Sequence, residues 1–178
     1  MSQTFLDENP PKILDATCSF SKRWPAHATI RMDIRPECKP DVVGDARRTD
    51  FPDAYFDEEY LDPPHLFRRG GTETIKRLRR EKYHRWFSPD PFTRYGTWGS
   101  REEWLDFISK ALTEAHRILK PTGLLHIKLT ESKDKKMKVE DVSASPLFEV
   151  VKHKITTSVS NFSKSKAKVH WLTMRPKP

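Results

Sequence analysis

The stretch ATIRMDIRPECKPDVVGDARRTDFPDAYFDEEYLDPPH, residues 28–65, contains three short apolar runs, and each run ends at or next to an aspartate. The runs cover residues 28–34, 41–45 and 55–62, and their β-branched, aliphatic and aromatic residues predict three strands. The run KILDAT at residues 12–17 has the same form and predicts a strand before them. Open α/β sheets bind ligands at the carboxyl ends of their strands, so we expect these aspartates to lie along one crevice.

The rest of the chain predicts one long helix and three further strands. Apolar residues at helical spacing predict the helix within residues 99–123, where Ser100 and Glu103 form a capping box. Lys120, Pro121 and Gly123 are expected to stop the helix. The strands that follow are LLHIKL (124–129), FEVVKHKITTS (148–158) and AKVHWLTM (167–174), the last two as an antiparallel pair. This order of elements predicts an α/β fold with a mostly parallel sheet and a C-terminal antiparallel hairpin.

Composition indicates a soluble chain with a polyanionic partner. The 178 residues carry a formal net charge of +8, which favours nucleic acid, with an anionic membrane surface as the alternative. No apolar run approaches the roughly 20 residues that span a bilayer, and the N-terminus lacks the plan of a signal peptide, so a cytoplasmic protein without a membrane partner is expected. Cys18 and Cys38 fit no disulfide or metal framework, and no metal is expected. No linker divides the chain, which predicts one domain over residues 1–178.

The motifs ILDAT, MDI, GDAR and DPPH, in that chain order, resemble those of class I S-adenosylmethionine-dependent methyltransferases. Within that class the chain is similar to the amino-methyltransferases whose signature is an acid or Asn, two prolines and an aromatic residue. It also resembles small phage and prokaryotic members with DPPH after the fourth strand and HWL near the end of the chain. The resemblance covers nearly the whole chain. It implies a Rossmann-like methyltransferase that uses S-adenosyl-L-methionine to methylate nitrogen.

The resemblance assigns three acids to the cofactor. Asp15 would hold the methionine amino group directly or through water, Asp33 would accept from the ribose hydroxyls, and Asp45 would accept from the adenine amino group. Further cofactor-binding residues are expected next to them: Ala16, Thr17, Ser19, Ile34 and Ala46. Any one of the acids could instead cap a turn at the end of its strand.

Three features depart from the family pattern. The loop DATCSFSK after the first strand contains no glycine, so any position with positive φ would be strained there. The link RPECK between the second and third strands is too short for a helix, which predicts a sheet with shortened crossovers. Glu58 and Glu59 stand where a buried parallel strand is normally apolar, so one of them is expected to face solvent or to pair with an arginine.

The segment DPPH supplies the expected catalytic residues. An exocyclic amine is a poor nucleophile because its lone pair is delocalised into the ring. The Asp62 carboxylate and the Pro63 carbonyl would accept hydrogen bonds from that amine and localise the lone pair, and the rigid pair Pro63 and Pro64 fixes the direction of the carbonyl. His65 takes the place of the aromatic residue and would stack on the target base or bond to its edge. The alternative is a loop turn capped by Asp62.

A basic and aromatic segment follows, which we interpret as an insertion over residues 66–100. Basic side chains neutralise phosphates and aromatic rings stack unpaired bases, so the segment predicts a surface for single-stranded or looped nucleic acid. The residues expected to bind substrate are Arg68, Arg69, Arg77, Arg80, Tyr83, Arg85 and Trp86. The alternative is a solvated basic helix whose aromatic residues pack on the core.

Three functional hypotheses follow. The first is methylation of an exocyclic amino group of adenine or cytosine in nucleic acid, with RNA favoured over DNA because the short chain has no added domain for reading duplex sequence. The second is methylation of a protein amide or a small molecule with the same fold and cofactor. The third is a non-catalytic nucleic-acid-binding module that has lost affinity for the cofactor. A chain of this size could also act as a homodimer.

Overall fold

The computed structural model describes residues 10–20, 24–65, 67, 98–131, 137–159 and 166–178. Their strands, in chain order, are β1 (Ile13–Asp15), β2 (Ile30–Asp33), β3 (Val42–Val43), β4 (Phe56–Leu61), β5 (Leu119–Thr130), β6 (Phe148–Val159) and β7 (Lys166–Pro176). The α-helices among the described residues are α1 (Arg101–Ile118) and α2 (Glu140–Ser143). The strands form one sheet with the order β3-β2-β1-β4-β5-β7-β6.

The strand directions confirm the predicted fold class. β1 to β5 run parallel to one another, β7 runs antiparallel to β5, and β6 runs antiparallel to β7. β6 therefore has the same direction as β5, with β7 inserted between them. The sheet is mostly parallel and ends in an antiparallel hairpin, as the sequence predicts.

The chain passes from α1 into β5 without an intervening loop. β5 begins at Leu119, five residues before the predicted start, and Leu119 pairs with Phe56 ahead of a bulge in the register. Gly123 lies inside this early part of the strand. A Cβ atom there would stand 2.9 Å from the Lys120 carbonyl oxygen and 3.2 Å from that of Asp57, so the close approach of backbone requires glycine.

Helix α1 forms where its cap and its apolar stripe predict it. The Ser100 side chain accepts a hydrogen bond from the Glu103 backbone N–H at 3.2 Å. In a capping box the Glu103 carboxylate would accept a hydrogen bond from the Ser100 N–H. Here it accepts from the N–H of the preceding residue, Gly99, at 2.6 Å. The buried stripe runs from Trp104 to Ile118 and packs on one face of the sheet. Each fully buried large apolar side chain in such a stripe contributes about 1.5–3 kcal/mol.

The two glutamates of β4 point to opposite faces of the sheet. Glu59 faces α1 and is 2% exposed, and one of its carboxylate oxygens has no hydrogen-bond partner among the described residues. Burial, and secondarily the charge of Glu114, raises the pKa of Glu59 to about 8. Glu58 faces the other way, accepts from the Tyr60 hydroxyl at 2.8 Å and lies 3.3 Å from the His126 ring. Glu58 is partly exposed, in agreement with the first of the two expectations, and within the described part of the chain neither glutamate pairs with an arginine.

The crossovers on the β3 side of the sheet are short. A single 3-10 turn at Pro36–Cys38 joins β2 to β3, and no α-helix lies between β1 and β4 in the residues that the structure describes. The sheet face opposite α1 instead meets the rings of Trp24 and His27, which pack against Tyr60. None of the described helices is long and apolar enough to cross a membrane.

Candidate active site

A pocket of about 580 Å³ opens at the carboxyl ends of β1 to β5. That volume lies within the range of about 300–1,000 Å³ that is usual for small-molecule and cofactor sites. The pocket brings together loops that follow four different strands, as expected for the crevice of an open α/β sheet. Eleven of the residues predicted for cofactor binding and catalysis line it: Ala16, Thr17, Ser19, Asp33, Ile34, Asp45, Ala46, Asp62, Pro63, Pro64 and His65.

Two sets of predicted site residues are not in this lining. The first is Asp15, which is 1% exposed and lies behind the loop that follows β1. Its Oδ1 accepts from the Thr17 N–H at 3.2 Å, and burial raises the pKa of Asp15 to about 7. Of the two contacts expected for Asp15, the one through water fits this position better, because the carboxylate does not reach the pocket. The second set lies outside the described residues: Arg68, Arg69, Arg77, Arg80, Tyr83, Arg85 and Trp86.

The Asp33 carboxylate is saturated by hydrogen bonds from its own chain. Oδ1 accepts from the backbone N–H and from Nε of Arg35 at 3.0 and 2.9 Å, and Oδ2 accepts from the Ser19 N–H at 2.9 Å and from Arg35 Nη2 at 3.1 Å. Burial acts to raise the pKa of Asp33, but the bonds from Arg35 hold it below its ordinary value. A carboxylate offers about four lone-pair positions. Ribose hydroxyls could therefore bond to Asp33 only if the Arg35 guanidinium turned away.

Asp45 repeats this arrangement after β3. Its Oδ1 accepts from the backbone N–H of Arg47 at 2.9 Å, and its Oδ2 accepts from Arg47 Nη2 at 2.6 Å. These hydrogen bonds hold the pKa of Asp45 below its ordinary value. The two side chains are 30% and 41% exposed, so water screens this pair more than it screens the pair at Asp33. An adenine amino group would compete with Arg47 for the same oxygens.

The loop after β1 makes a left-handed turn without glycine. Ser19 has a φ of 52°, a conformation that costs a non-glycine residue about 1–2 kcal/mol. The strain predicted for a glycine-free loop therefore falls on Ser19, and the bond from its N–H to Asp33 helps to hold the turn. The same loop fixes the catalytic segment, because Thr17 Oγ1 accepts from the Asp62 N–H at 2.8 Å.

Two side chains outside the motif orient the segment DPPH. Lys128 Nζ lies 2.6 Å from Asp62 Oδ2, which leaves Oδ1 without a partner among the described residues. Trp98 Nε1–H donates to the Pro64 carbonyl oxygen at 2.6 Å. The Trp98 ring is itself packed against Phe107, with ring centroids 4.8 Å apart. Lys128 of β5 and Trp98, which precedes α1, therefore fix the segment that follows β4.

The part of the pocket around DPPH is aromatic. Trp24, Trp98 and Phe107 line it together with His65. Burial lowers the pKa of His65, which favours a neutral imidazole at pH 7. Flat apolar walls of this kind suit a planar ring better than a flexible polar chain.

Trp98 lies within the predicted substrate-binding insertion, and seven further lining residues were not predicted from the sequence: Cys18, Trp24, Arg35, Gly44, Arg47, Phe107 and Lys128. A repeated Asp-x-Arg spacing was a usable signal for Arg35 and Arg47. Alternation along β5 was a signal for Lys128, since it shares a face with His126, the partner of Tyr60 in the register. Nothing in the local sequence points to the bond that Trp98 makes.

The residues present fit the parts of S-adenosyl-L-methionine that the resemblance assigns to them. Ile34 follows the acid of β2, is 59% exposed and offers an apolar surface within the pocket for a planar base. Ala16 and Ala46 are small enough for a ligand to approach the backbone. The acids Asp33 and Asp45 are suitably located, with their arginines as internal competitors. Among the described residues no group of three His, Cys, Asp or Glu side chains is placed to hold a metal ion.

Neither a protein-family model nor a curated protein matches the chain by sequence. Solved structures match it by fold. The PH0226 protein of Pyrococcus horikoshii OT3 is 14% identical, with 96% of this chain and 84% of that chain covered and a TM-score of 0.57. An S-adenosylmethionine-dependent methyltransferase of Methanosarcina mazei is 13% identical, with 97% and 94% covered and a TM-score of 0.55.

A third structure carries ligands. The 1,6-didemethyltoxoflavin N1-methyltransferase of Burkholderia thailandensis, with 1,6-didemethyltoxoflavin and S-adenosylhomocysteine bound, is 13% identical, with 96% and 72% covered and a TM-score of 0.52. At these identities the likeness establishes the fold alone. The chain has the fold of class I S-adenosylmethionine-dependent methyltransferases.

Proposed function

We propose that the chain is an S-adenosyl-L-methionine-dependent methyltransferase that acts on an exocyclic amino group of adenine or cytosine in nucleic acid, with RNA favoured over DNA. One observation carries the proposal. A single pocket joins the loops after β1, β2 and β3 to the segment Asp62–His65, so that a cofactor and an acceptor base could share one cavity. When bound, S-adenosyl-L-methionine supplies an electrophilic methyl group on a sulfonium.

The segment DPPH retains two acceptors for an amine. Lys128 occupies Oδ2 of Asp62, which leaves Oδ1 to accept from the amino group. Trp98 occupies the carbonyl of Pro64, which leaves that of Pro63. Two acceptors fixed by the surrounding fold cost little to reorganise as positive charge develops on the nitrogen, and this preorganisation is the usual source of such catalysis.

Shape and charge support a planar base of a polyanion as the acceptor. The aromatic lining around His65 suits a planar base, and the net charge of +8 suits a polyanion. RNA is favoured because unpaired bases in loops can enter a pocket without being flipped from a duplex.

A small planar heteroaromatic molecule is the second candidate. The same aromatic lining favours it, and the Burkholderia thailandensis neighbour has 1,6-didemethyltoxoflavin bound. A nucleic-acid substrate should lose rate as salt rises, because phosphate contacts are screened, whereas a neutral small molecule should not.

The test is methyl transfer from labelled cofactor to bulk RNA, bulk DNA and free nucleosides, read by mass spectrometry of the nucleosides. We expect a labelled methyladenine or methylcytosine in RNA. Asp62→Ala should reduce kcat on the order of a hundredfold to a thousandfold, the usual effect of losing one preorganised acceptor, while the calorimetric affinity for cofactor changes little. Asp62→Asn keeps an acceptor oxygen and should retain more activity.

Glu149→Ala is the control, because it removes an exposed acid that pairs with Arg175 near the start of β6, at the end of the sheet away from the pocket. Transfer by Asp62→Ala at the parent rate would contradict the mechanism. If the parent protein binds no cofactor in the calorimeter, the methyltransferase hypothesis is contradicted. The hypothesis of a non-catalytic nucleic-acid-binding module would then remain.

A further inference from the structure

We propose that the sheet face opposite α1 is a docking surface for single-stranded nucleic acid. The surface, called here the open face, consists of Lys128, Trp171 and Lys154 in one row and His126, Thr173 and Lys152 in the next. The inference rests on the proposed function and adds the path along which the strand bearing the target base would lie.

The strand register defines the two rows. Lys128 of β5 pairs with Trp171 of β7, and Trp171 pairs with Lys154 of β6. Residues directly paired across strands point to the same face of a sheet, and neighbouring strands lie about 4.8 Å apart. The first row therefore runs about 10 Å across the sheet from Lys128 to Lys154. The second row lies two residues below it.

The first row begins at the pocket itself. Lys128 lines the pocket and bonds to Asp62, and its Nζ lies 5.7 Å from the centre of the Trp171 ring. Trp24 also lines the pocket and packs edge-on against Trp171, with ring centroids 5.6 Å apart. A ligand leaving the pocket past these side chains would meet the open face next.

No described helix covers the open face. α1 packs on the opposite side of the sheet, and the described links between β1 and β4 contain no α-helix, although parallel sheets are usually covered on both faces. Trp171 and Thr173 are partly exposed, and Lys152 and Lys154 are exposed. Neither of these two lysines forms an ion pair with an acid among the described residues.

The chemistry of the open face fits a single strand of nucleic acid. The indole of Trp171 is held by a bond from Nε1–H to Thr156 Oγ1 at 2.9 Å, which fixes the ring for stacking. On the β6 side of Trp171, Lys152 and Lys154 can neutralise phosphates. An anionic membrane fits less well, because the exposed Ile155 pairs with His170 and so points to the other face. The open face itself carries no such aliphatic side chain.

The test measures binding without cofactor. A short labelled single-stranded RNA is titrated with the protein at several salt concentrations, and its fluorescence anisotropy is followed. The double variant Lys152→Gln/Lys154→Gln should bind more weakly, and the slope of log K against log salt should fall in magnitude by about 1.4, from two contacts at about 0.7 each. Trp171→Leu should weaken binding on the order of tenfold, and Trp171→Phe should restore most of it.

The matched control is Lys166→Gln/Lys168→Gln. It makes the same change of charge on the same hairpin, but Lys168 pairs with Thr157 and so lies on the opposite face, as Lys166 does two residues away. An equal loss of RNA affinity in both double variants would overturn the docking surface. Unchanged RNA affinity in Lys152→Gln/Lys154→Gln would overturn it as well. Binding to phosphatidylserine vesicles that depends on Lys152 and Lys154 while RNA binding does not would assign the face to a membrane. The titration measures binding only, so its result is independent of the methyl-transfer test described above. If RNA binds through the open face but the transfer test finds no methylated nucleoside, the proposed function is refuted and the docking surface is not.

Discussion

Glu59 allows the sharpest quantitative prediction about this fold. Its ordinary pKa is 4.5 and burial raises the pKa to about 8, so between these values the folded state keeps a proton that the unfolded chain has lost. The Glu59 carboxyl therefore does not lower the free energy of unfolding below pH 4.5. Above pH 4.5 it lowers the free energy of unfolding by about 1.4 kcal/mol for each pH unit, and above pH 8 the decrease stops. The cost is about 3 kcal/mol at pH 7 and about 5 kcal/mol above pH 8.

Glu59→Gln and Glu59→Met should remove this cost, because neither side chain ionises. The assay is urea unfolding of parent and variants across this pH range, with the difference in free energy of unfolding plotted against pH. Taking the difference cancels other groups that titrate here, such as Asp15. The gain should grow with pH and level off above pH 8. A gain that is independent of pH would refute the reasoning, as would an equal effect in Glu58→Gln, which removes a carboxylate from the opposite, partly exposed face of the same strand.

Two further predictions concern the pocket. Trp98→Phe keeps an aromatic ring against Phe107 but loses the hydrogen bond to the Pro64 carbonyl. We expect kcat to fall on the order of tenfold, while the cofactor affinity measured by calorimetry stays constant. A parent-like kcat would mean that the bond does not orient the segment DPPH. Arg47→Gln removes the guanidinium that bonds to the Asp45 carboxylate. The calorimetric Kd for S-adenosyl-L-methionine should then fall by up to about fivefold, which corresponds to about 1 kcal/mol for a partly exposed ion pair. An unchanged or higher Kd would show that Arg47 does not compete with the cofactor.

The pairing of acids with cations gives the pocket a mixed character. Three acids of the pocket each form an ion pair with a basic side chain. Arg35 pairs with Asp33, Arg47 pairs with Asp45, and Lys128 of β5 pairs with Asp62. A ligand that needs these carboxylates has to displace or share the cation. In the proposed cofactor site the arginines would therefore influence the affinity as much as the acids.

Short stretches of sequence are enough to predict the strands, helix α1 and the edge of the sheet at which the pocket lies. Each apolar run ending at an aspartate became a strand, because alternating β-formers favour an extended chain and an acid at the strand end can turn toward solvent or a ligand. Helix α1 followed from its cap and its stripe of apolar residues, both of which act within a few residues. These are local effects, so short stretches of sequence are enough to reveal them.

The side chains that meet across the sheet could not be predicted from the sequence and were found only in the folded chain. The contact of Lys128 with Asp62 and the row from Lys128 to Lys154 depend on strand register, which the turns and the packing of the whole sheet fix. The bond from Trp98 joins residues 34 positions apart. The burial of Glu59 depends on α1 crossing that face of β4. Contacts between distant residues arise only when the chain is folded, because their energies depend on distances that no local pattern of residues encodes.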